Sequence, residues 1–456
     1  MTGLTLKNIA NVVGGKLYCD KIYEDRTIDG VTIDSRLVEK DYLFVCIKGE
    51  RVDGHDFMDD VATKGAICAF CEREIKDAKI PYILVESSTE SLRMLATYYR
   101  SILDVKIVGI TGSVGKTSTK EFIAAVLEEK YKVLKTAGNY NNEIGLPLTI
   151  LKIRDEHKIA VLEMGISDFN EMNVLSKIAK PDVCVITNIG PCHLEALGDL
   201  DGVLKAKSEM FNYCAKDAFV VLNGDDAKLS TITEVCGKKT LFYGKNENNE
   251  YIAKDIVNHG ITGCEFVLQK DGKNINLSTP IPGEHMVLNA LAAYAVGEYF
   301  GLNEDEIKTG LMNMKTVSGR VNVVKTNKYT IIDDCYNANP VSMKASVDVL
   351  EHATGRKIAI LGDMFELGKD EVKMHYEVGQ YVAKKDIDTL ITIGGLSKNI
   401  NSGTSCDGFT GNTYHYDSVD MFINECDNLL KQDDTVLLKA SHSMNFTKIL
   451  DELKVR

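Results

Sequence analysis

The sequence predicts an α/β protein of three domains: a small unit, a central phosphate-loop domain with a mainly parallel sheet, and a Rossmann-like C-terminal domain. Three observations carry this expectation. A chain of 456 residues corresponds to about three domains at roughly 150 residues each. Apolar runs of strand length alternate with helical stretches, the order that builds parallel sheets covered on both faces. A glycine-rich turn joins one of those strands directly to a helix, a junction with the local chemistry of a phosphate site.

The first segment, residues 1–84, mixes the apolar runs YLFVCI (42–47) and AICAF (66–70) with polar turns such as ERVDGHD (50–56), the pattern of a small α/β unit. A helix follows. Ser87 and Glu90 have capping-box spacing, and Leu92, Leu95 and Ala96 recur at helical intervals, so this helix leads into the next domain. Residues 85–313 form the central domain. VKIVGI (105–110) reads as a strand, TGSVGKT (111–117) as the turn, and Phe122, Ile123, Val126 and Leu127 as one face of a helix. IAVLE (159–163), DVCVITN (182–188) and FVVLN (219–223) supply further strands between helical segments. Residues 314–456 repeat the alternation with YTIIDD (329–334), RKIAILGD (356–363), DTLITIGG (388–395) and TVLLKA (435–440).

Hydrophobic residues make up 44% and charged residues 26%, which excludes a disordered, collagen-like or coiled-coil chain. Fifty-three Lys and Arg face 66 Asp and Glu, a net charge of −13, so nucleic acid and anionic lipid are poor partners unless a local patch reverses the sign. Twelve cysteines without framework spacing are those of buried thiols in a reducing compartment. No apolar stretch has the length of a signal peptide or a membrane span, and a cytoplasmic monomer is expected. Cys68 and Cys71, in CAFC, have no partner pair, and a strand points them to opposite faces, so they read as buried thiols rather than a metal site.

In GITGSVGKTSTKE (109–121) the glycines let backbone amides close round phosphate oxygens, and the helix start adds positive potential. Gly112, Ser113, Val114, Gly115, Lys116, Thr117 and Ser118 are the candidate ATP-binding residues, with Lys116 for the terminal phosphates and the Thr117 hydroxyl for magnesium. Ile110 stands where the strict Walker pattern has glycine.

A phosphate loop by itself is compatible with a motor, a switch, a kinase or a ligase. The stretches TAGNYNNEIGLPLTIL (136–151), LEMG (162–165), ITNIGPCHLEALG (186–198), AKSEMF (206–211), DDCYNANPVSM (333–343) and LGDMFELG (361–368) stand in that order, and together they resemble the bacterial Mur ligases. The resemblance spans essentially the whole chain. It implies an ATP-dependent amide-bond ligase that uses Mg2+ and joins D-alanyl-D-alanine to UDP-N-acetylmuramoyl-tripeptide through an acyl phosphate.

Residue by residue, it implies a catalytic group of Lys116, Glu163, His193 and Lys207, with Thr117, Glu163, His193 and a carbamylated Lys207 as magnesium ligands. A hard cation prefers oxygen, so His193 is unusual on chemistry alone, and a helical lysine such as Lys207, with Lys205 beside it, is ordinarily solvent-facing. Asn289 matches the adenine-side amide, although Met286 stands where the family commonly has asparagine. Arg320 matches a phosphate contact and Asp334 the ribose or metal region. Ser35 and Arg36 in TIDSR (32–36), together with VDGHDF (52–57), resemble the loops that bind UDP. Asn139, Asn141 and Asn142 match positions beside the sugar-peptide and the metal. Tyr336, Asn337, Asn339 and Pro340, and then Asp363, Met364 and Glu366, form two loops beside the incoming dipeptide. Ala440 and His442 replace the glycine and arginine common in the family's final strand.

The chemistry agrees with this resemblance. Joining a carboxylate to an amine requires a leaving group on the carboxylate, and two anions approach only when cations lie between them. Two rivals remain open at this stage: a Mur ligase that adds the third peptide residue, and a nucleotide-binding switch with no ligation.

Overall fold

The computed structural model describes residues 1, 3–405 and 408–456. Among the described residues the strands form sheets of five, nine and six strands and a two-stranded ribbon. The five-stranded sheet runs, in spatial order, Lys16–Tyr18, Tyr82–Leu84, Cys68–Cys71, Tyr42–Val45 and Gly30–Thr32, parallel except at the first pair.

The helix Ser88–Ile102 begins at Ser87, whose hydroxyl accepts from the Glu90 amide at 3.2 Å. The expected capping box is therefore half formed, because the Glu90 carboxylate turns to Arg93 instead of back to the cap. Leu92, Leu95 and Ala96 are fully buried and join the N-terminal core to one face of the central sheet.

The central sheet places the strand Lys106–Thr111 between Val183–Ile186 and Ile159–Glu163, all parallel. Phe219–Asn223, Leu241–Gly244 and Tyr251–Asn258 extend it in parallel on one side, and Val133–Lys135 on the other. Beyond Tyr251–Asn258 the antiparallel strands Cys264–Lys270 and Lys273–Thr279 complete the sheet. Phe122, Ile123, Val126 and Leu127 of the helix Lys116–Glu128 are fully buried, worth about 1.5–3 kcal/mol for each large side chain relative to exposure. The helix His285–Tyr299 is apolar round its circumference and packs beside them, as a helix without a polar face must.

The six-stranded sheet runs Asn322–Lys325, Tyr329–Asp333, Asp434–Lys439, Lys357–Gly362, Thr389–Ile393 and Asn412–Tyr416, antiparallel only at the first pair. Its apolar side chains are continuous with the core round the helices Lys116–Glu128 and His285–Tyr299. The strand-end loops of both sheets consequently open toward each other, the position at which α/β ligands collect. Among the described residues no helix is long and apolar enough to cross a membrane.

Candidate active site

A cleft of about 850 Å³ lies between the two larger sheets, within the usual size of a ligand site. Its floor is the phosphate loop. Gly112 has φ +150°, and a Cβ there would lie 1.9 Å from Thr187 Oγ1; Gly115 opens the helix at φ +81°. Both positions require glycine. The loop is laced to the neighbouring strand end: Val114 N–H donates to Asn188 Oδ1 at 3.0 Å, and the Thr187 hydroxyl and the Asn188 amide donate to the Val114 carbonyl. Ser113 exchanges hydrogen bonds with Gly190 at 3.0 and 2.8 Å and accepts from the Cys192 thiol.

Lys116 donates to the Gly112 carbonyl at 2.7 Å, and burial pushes its ammonium below the ordinary lysine value. Thr117 Oγ1 donates to Glu163 Oε2 at 2.9 Å, and Asn141 Nδ2 donates to Glu163 Oε1 at 2.8 Å. Glu163 ends the strand Ile159–Glu163 and is only 2% exposed. Its hydrogen-bond partners among the described residues are neutral. A buried carboxylate of this kind needs a positive charge, and with the Thr117 hydroxyl beside it the donor set is oxygen, which suits a hard divalent cation.

His193 has φ +51° and begins the helix Leu194–Leu197. Its Nδ1 pairs with Glu366 Oε2 at 2.7 Å across the cleft, while burial pushes the imidazole down. Lys207, on the helix Leu200–Ser208, is 1% exposed, and its ammonium donates no hydrogen bond among the described residues. Burial first, then the Lys116 charge, push its amine down to about 8.

Thr119 donates to Asn289 Oδ1 at 3.0 Å, and the Asn289 amide faces Met286 Sδ at 3.3 Å. Met286 thus fills the position of a polar neighbour with a weak acceptor. From the C-terminal sheet, Arg320 lies 4.1 Å above the Tyr336 ring, which in turn meets His442 edge-on. Asn337 and Asn339 also line the cleft, and Asn339 with Ser342 forms a capping box at the start of the helix Pro340–Glu351. Two helix N-termini and the cations Lys116, Arg320 and Lys439 therefore face one space, bringing positive potential to the phosphate side of the cleft.

Several candidate residues are engaged elsewhere. Asp334 lines the cleft, but Lys439 holds one of its oxygens at 2.5 Å, and Ser346 hydrogen-bonds the same oxygen. Asp363 accepts from the Leu396 and Ser397 amides, securing a turn beside the cleft rather than lining it. Asn142 lines the cleft while capping the helix Gly145–Ile150 through Gly145 N–H at 2.9 Å, and Asn139 is exposed outside it. Ser35 and Arg36 lie on the N-terminal domain, away from the cleft lining. There Arg36 grips Asp34 through two side-chain bonds and holds that carboxyl down to about 2.

Sequence reasoning passed over Thr187, Asn188 and Lys439. The signal for Lys439 is a lysine closing the apolar run VLL (436–438) of its strand, since such an ion is buried only with a partner.

Three stretches match descriptions of one family: Mur ligase family, catalytic domain, at residues 27–100; Mur ligase middle domain at 110–297; and Mur ligase, glutamate ligase domain, at 319–442. The chain is 37% identical to the UDP-N-acetylmuramoyl-tripeptide--D-alanyl-D-alanine ligase of Bacillus subtilis, over 98% of both chains. It is similar to a crystal structure of MurF from Acinetobacter baumannii, with TM-score 0.89, 29% identity and 99% of each chain covered. It also resembles MurF ligase from Thermotoga maritima in complex with ADP, with TM-score 0.81, 31% identity and 93% and 97% covered.

Proposed function

The chain belongs to the Mur ligase family, and from that premise we propose that it joins D-alanyl-D-alanine to UDP-N-acetylmuramoyl-tripeptide at the expense of ATP. The product is the pentapeptide precursor of peptidoglycan. The observation that carries this reading is the convergence of the phosphate loop, buried Glu163 and the Arg320–Tyr336 pair on one cleft.

Lys116 and the loop amides hold the β- and γ-phosphates, and Arg320 approaches from the opposite wall. The tripeptide carboxylate accepts the γ-phosphoryl group, the dipeptide amine attacks the acyl phosphate, and inorganic phosphate leaves. Thr117 and Glu163 would hold magnesium, with His193 and Lys207 completing the set, and the ion would supply charge neutralisation between nucleotide and carboxylate. Asn141 orients Glu163 through the 2.8 Å bond to Oε1. Lys207 serves as a carbamate. Only a neutral amine adds carbon dioxide, and an amine at about 8 supplies that form near neutrality; the reaction turns a buried cation beside Lys116 into an anion.

Ser35, Arg36 and the VDGHDF loop bind the UDP end, and Asn139 and Asn142 the sugar-peptide. Tyr336, Asn337, Asn339, Asp363 and Glu366 form or support the dipeptide side. Asn289 faces the adenine, and Asp334 organises the ribose side through Lys439. The domains are 1–84, 85–313 and 314–456. The chain is read as a monomer, and ATP and a UDP-linked substrate support a cytoplasmic site of action.

The test is phosphate release with UDP-N-acetylmuramoyl-tripeptide, with and without D-alanyl-D-alanine, followed by mass analysis. Release that depends on the dipeptide, with a product heavier by one dipeptide less water, is expected. Release indifferent to the dipeptide, or extension by a single amino acid, overturns the reading.

A further inference from the structure

Cys71 reappears in a setting that its CAFC motif did not announce. Cys68 and Cys71 do face opposite sides of their strand, into separate cores. On the Cys71 side, however, the fold gathers donors from three other places in the chain. Cys46 lies directly beside Cys71, since Val45 registers with Phe70 and the Cys46 amide donates to the Phe70 carbonyl. Met58 opens the helix that covers this face. His55 completes the group: the ligand atoms of Cys46, His55 and Cys71 lie within 4.8 Å of one another, and all three residues are buried.

The sulfurs form a nearly equilateral triangle. Cys46 Sγ to Met58 Sδ is 3.7 Å, Cys71 Sγ to Met58 Sδ is 3.8 Å, and Sγ to Sγ is 3.9 Å. The centre of such a triangle lies about 2.2 Å from each corner, close to the zinc–thiolate bond length of about 2.3 Å. A cation bound to sulfur therefore fits without moving the backbone. Two thiols and a thioether are soft donors, and that softness selects monovalent copper. Zinc also takes thiolates but needs a fourth ligand to close a tetrahedral shell, and both ring nitrogens of His55, the other donor here, are engaged: Nε2 accepts from the Glu72 amide at 2.9 Å, and Nδ1 faces Asp53 Oδ1 at 2.6 Å.

We propose that Cys46, Cys71 and Met58 bind one monovalent copper ion in a three-sulfur shell. Both thiols lose their protons to solvent on binding, the thioether donates a neutral lone pair, and no oxidation occurs. The resulting unit carries a net charge of −1 beside the chain formed by His55, Asp53 and Arg73, in which Arg73 lies 3.2 Å from Asp53. The bound ion staples the segment from Cys46 to Met58, which includes the VDGHDF loop, to the central strand of the N-terminal sheet.

The test uses the full chain in a Cys214→Ser, Cys236→Ser background, because those two thiols are also 3.9 Å apart and would bind copper on their own. Monovalent copper is titrated without oxygen against bicinchoninate. One ion per chain, a raised Tm and an X-ray absorption shell of three sulfurs are expected. Cys46→Ser and Cys71→Ser each lose the site. Met58→Leu, which keeps the packing volume, weakens it at least about ten-fold, since even an outer-shell partner is worth about 10- to 100-fold. Copper left with bicinchoninate, equal uptake by Cys46→Ser or Met58→Leu, or nitrogen in place of the third sulfur in the wild-type spectrum overturns the proposal. Tighter binding of zinc than of copper overturns it as well.

Discussion

Lys207 shows how one residue's environment sets both reactivity and stability. Its folded value of about 8 lies below the ordinary lysine value of about 10.4, so the native state binds fewer protons than the unfolded chain between those two pH values. The penalty of the buried ammonium is full below about pH 8 and is relieved as pH rises toward 10.4. Lys207→Met should therefore raise Tm at pH 7 while abolishing activity. Lys207→Arg, which cannot form a carbamate, should lower kcat by about 10²- to 10³-fold, the scale of one lost charge-stabilising group. Added bicarbonate should restore activity that the wild type loses at pH 6.5, and an Arg variant as active as the wild type would rule the carbamate out. A second residue-scale expectation concerns Cys214. Hydrogen bonding from the Cys184 thiol, aided by Cys236, pulls it down to about 7, whereas burial raises Cys236. The thiolate is the nucleophile, so iodoacetamide at pH 7.5 should label Cys214 before the more exposed Cys236. Peptide mapping that finds the reverse order would contradict this.

Among elements, the helix Pro340–Glu351 starts at the cleft, and its capping residue serves both helix and site. Asn339→Ala should cost about 1 kcal/mol and also raise KM, because the first turn that faces the substrates loosens. Ser418 caps the helix Val419–Leu429 at the sheet's far edge, accepting from Met421 N–H. Ser418→Ala should cost about as much in a denaturant titration but leave KM unchanged; a shift in KM for both variants would break the link between this helix start and binding. Element identities were largely legible in the sequence. The runs IAVLE, FVVLN and RKIAILGD became strands because parallel strands are buried on both faces and so read as continuous apolar segments. The antiparallel strands Cys264–Lys270 and Lys273–Thr279 escaped notice, since one face is partly solvated and more than half of their residues are polar.

At the scale of the whole molecule, the cleft has walls from two sheets, and the contact between His193 Nδ1 and Glu366 Oε2 already spans it. Closure round substrates should lower the radius of gyration in solution scattering when ATP, magnesium and the UDP-peptide are added together, while Glu366→Ala should enlarge the ligand-free value. Unchanged radii in both experiments would show that these walls do not move.

The chain order by itself determined the α/β class and the phosphate loop, because strand burial, glycine geometry and a lysine–threonine pair are local requirements written in adjacent residues; the ligase reading came from the resemblance of its ordered motifs to the Mur ligases. What Lys207 experiences, how Asp334 is committed to Lys439 and why Asp363 secures a turn were decided only in three dimensions. So was the meeting of Cys46, Met58 and Cys71. Burial and partnership arise between residues far apart in the chain, and no spacing along the sequence encodes the dielectric or the neighbour that a side chain meets.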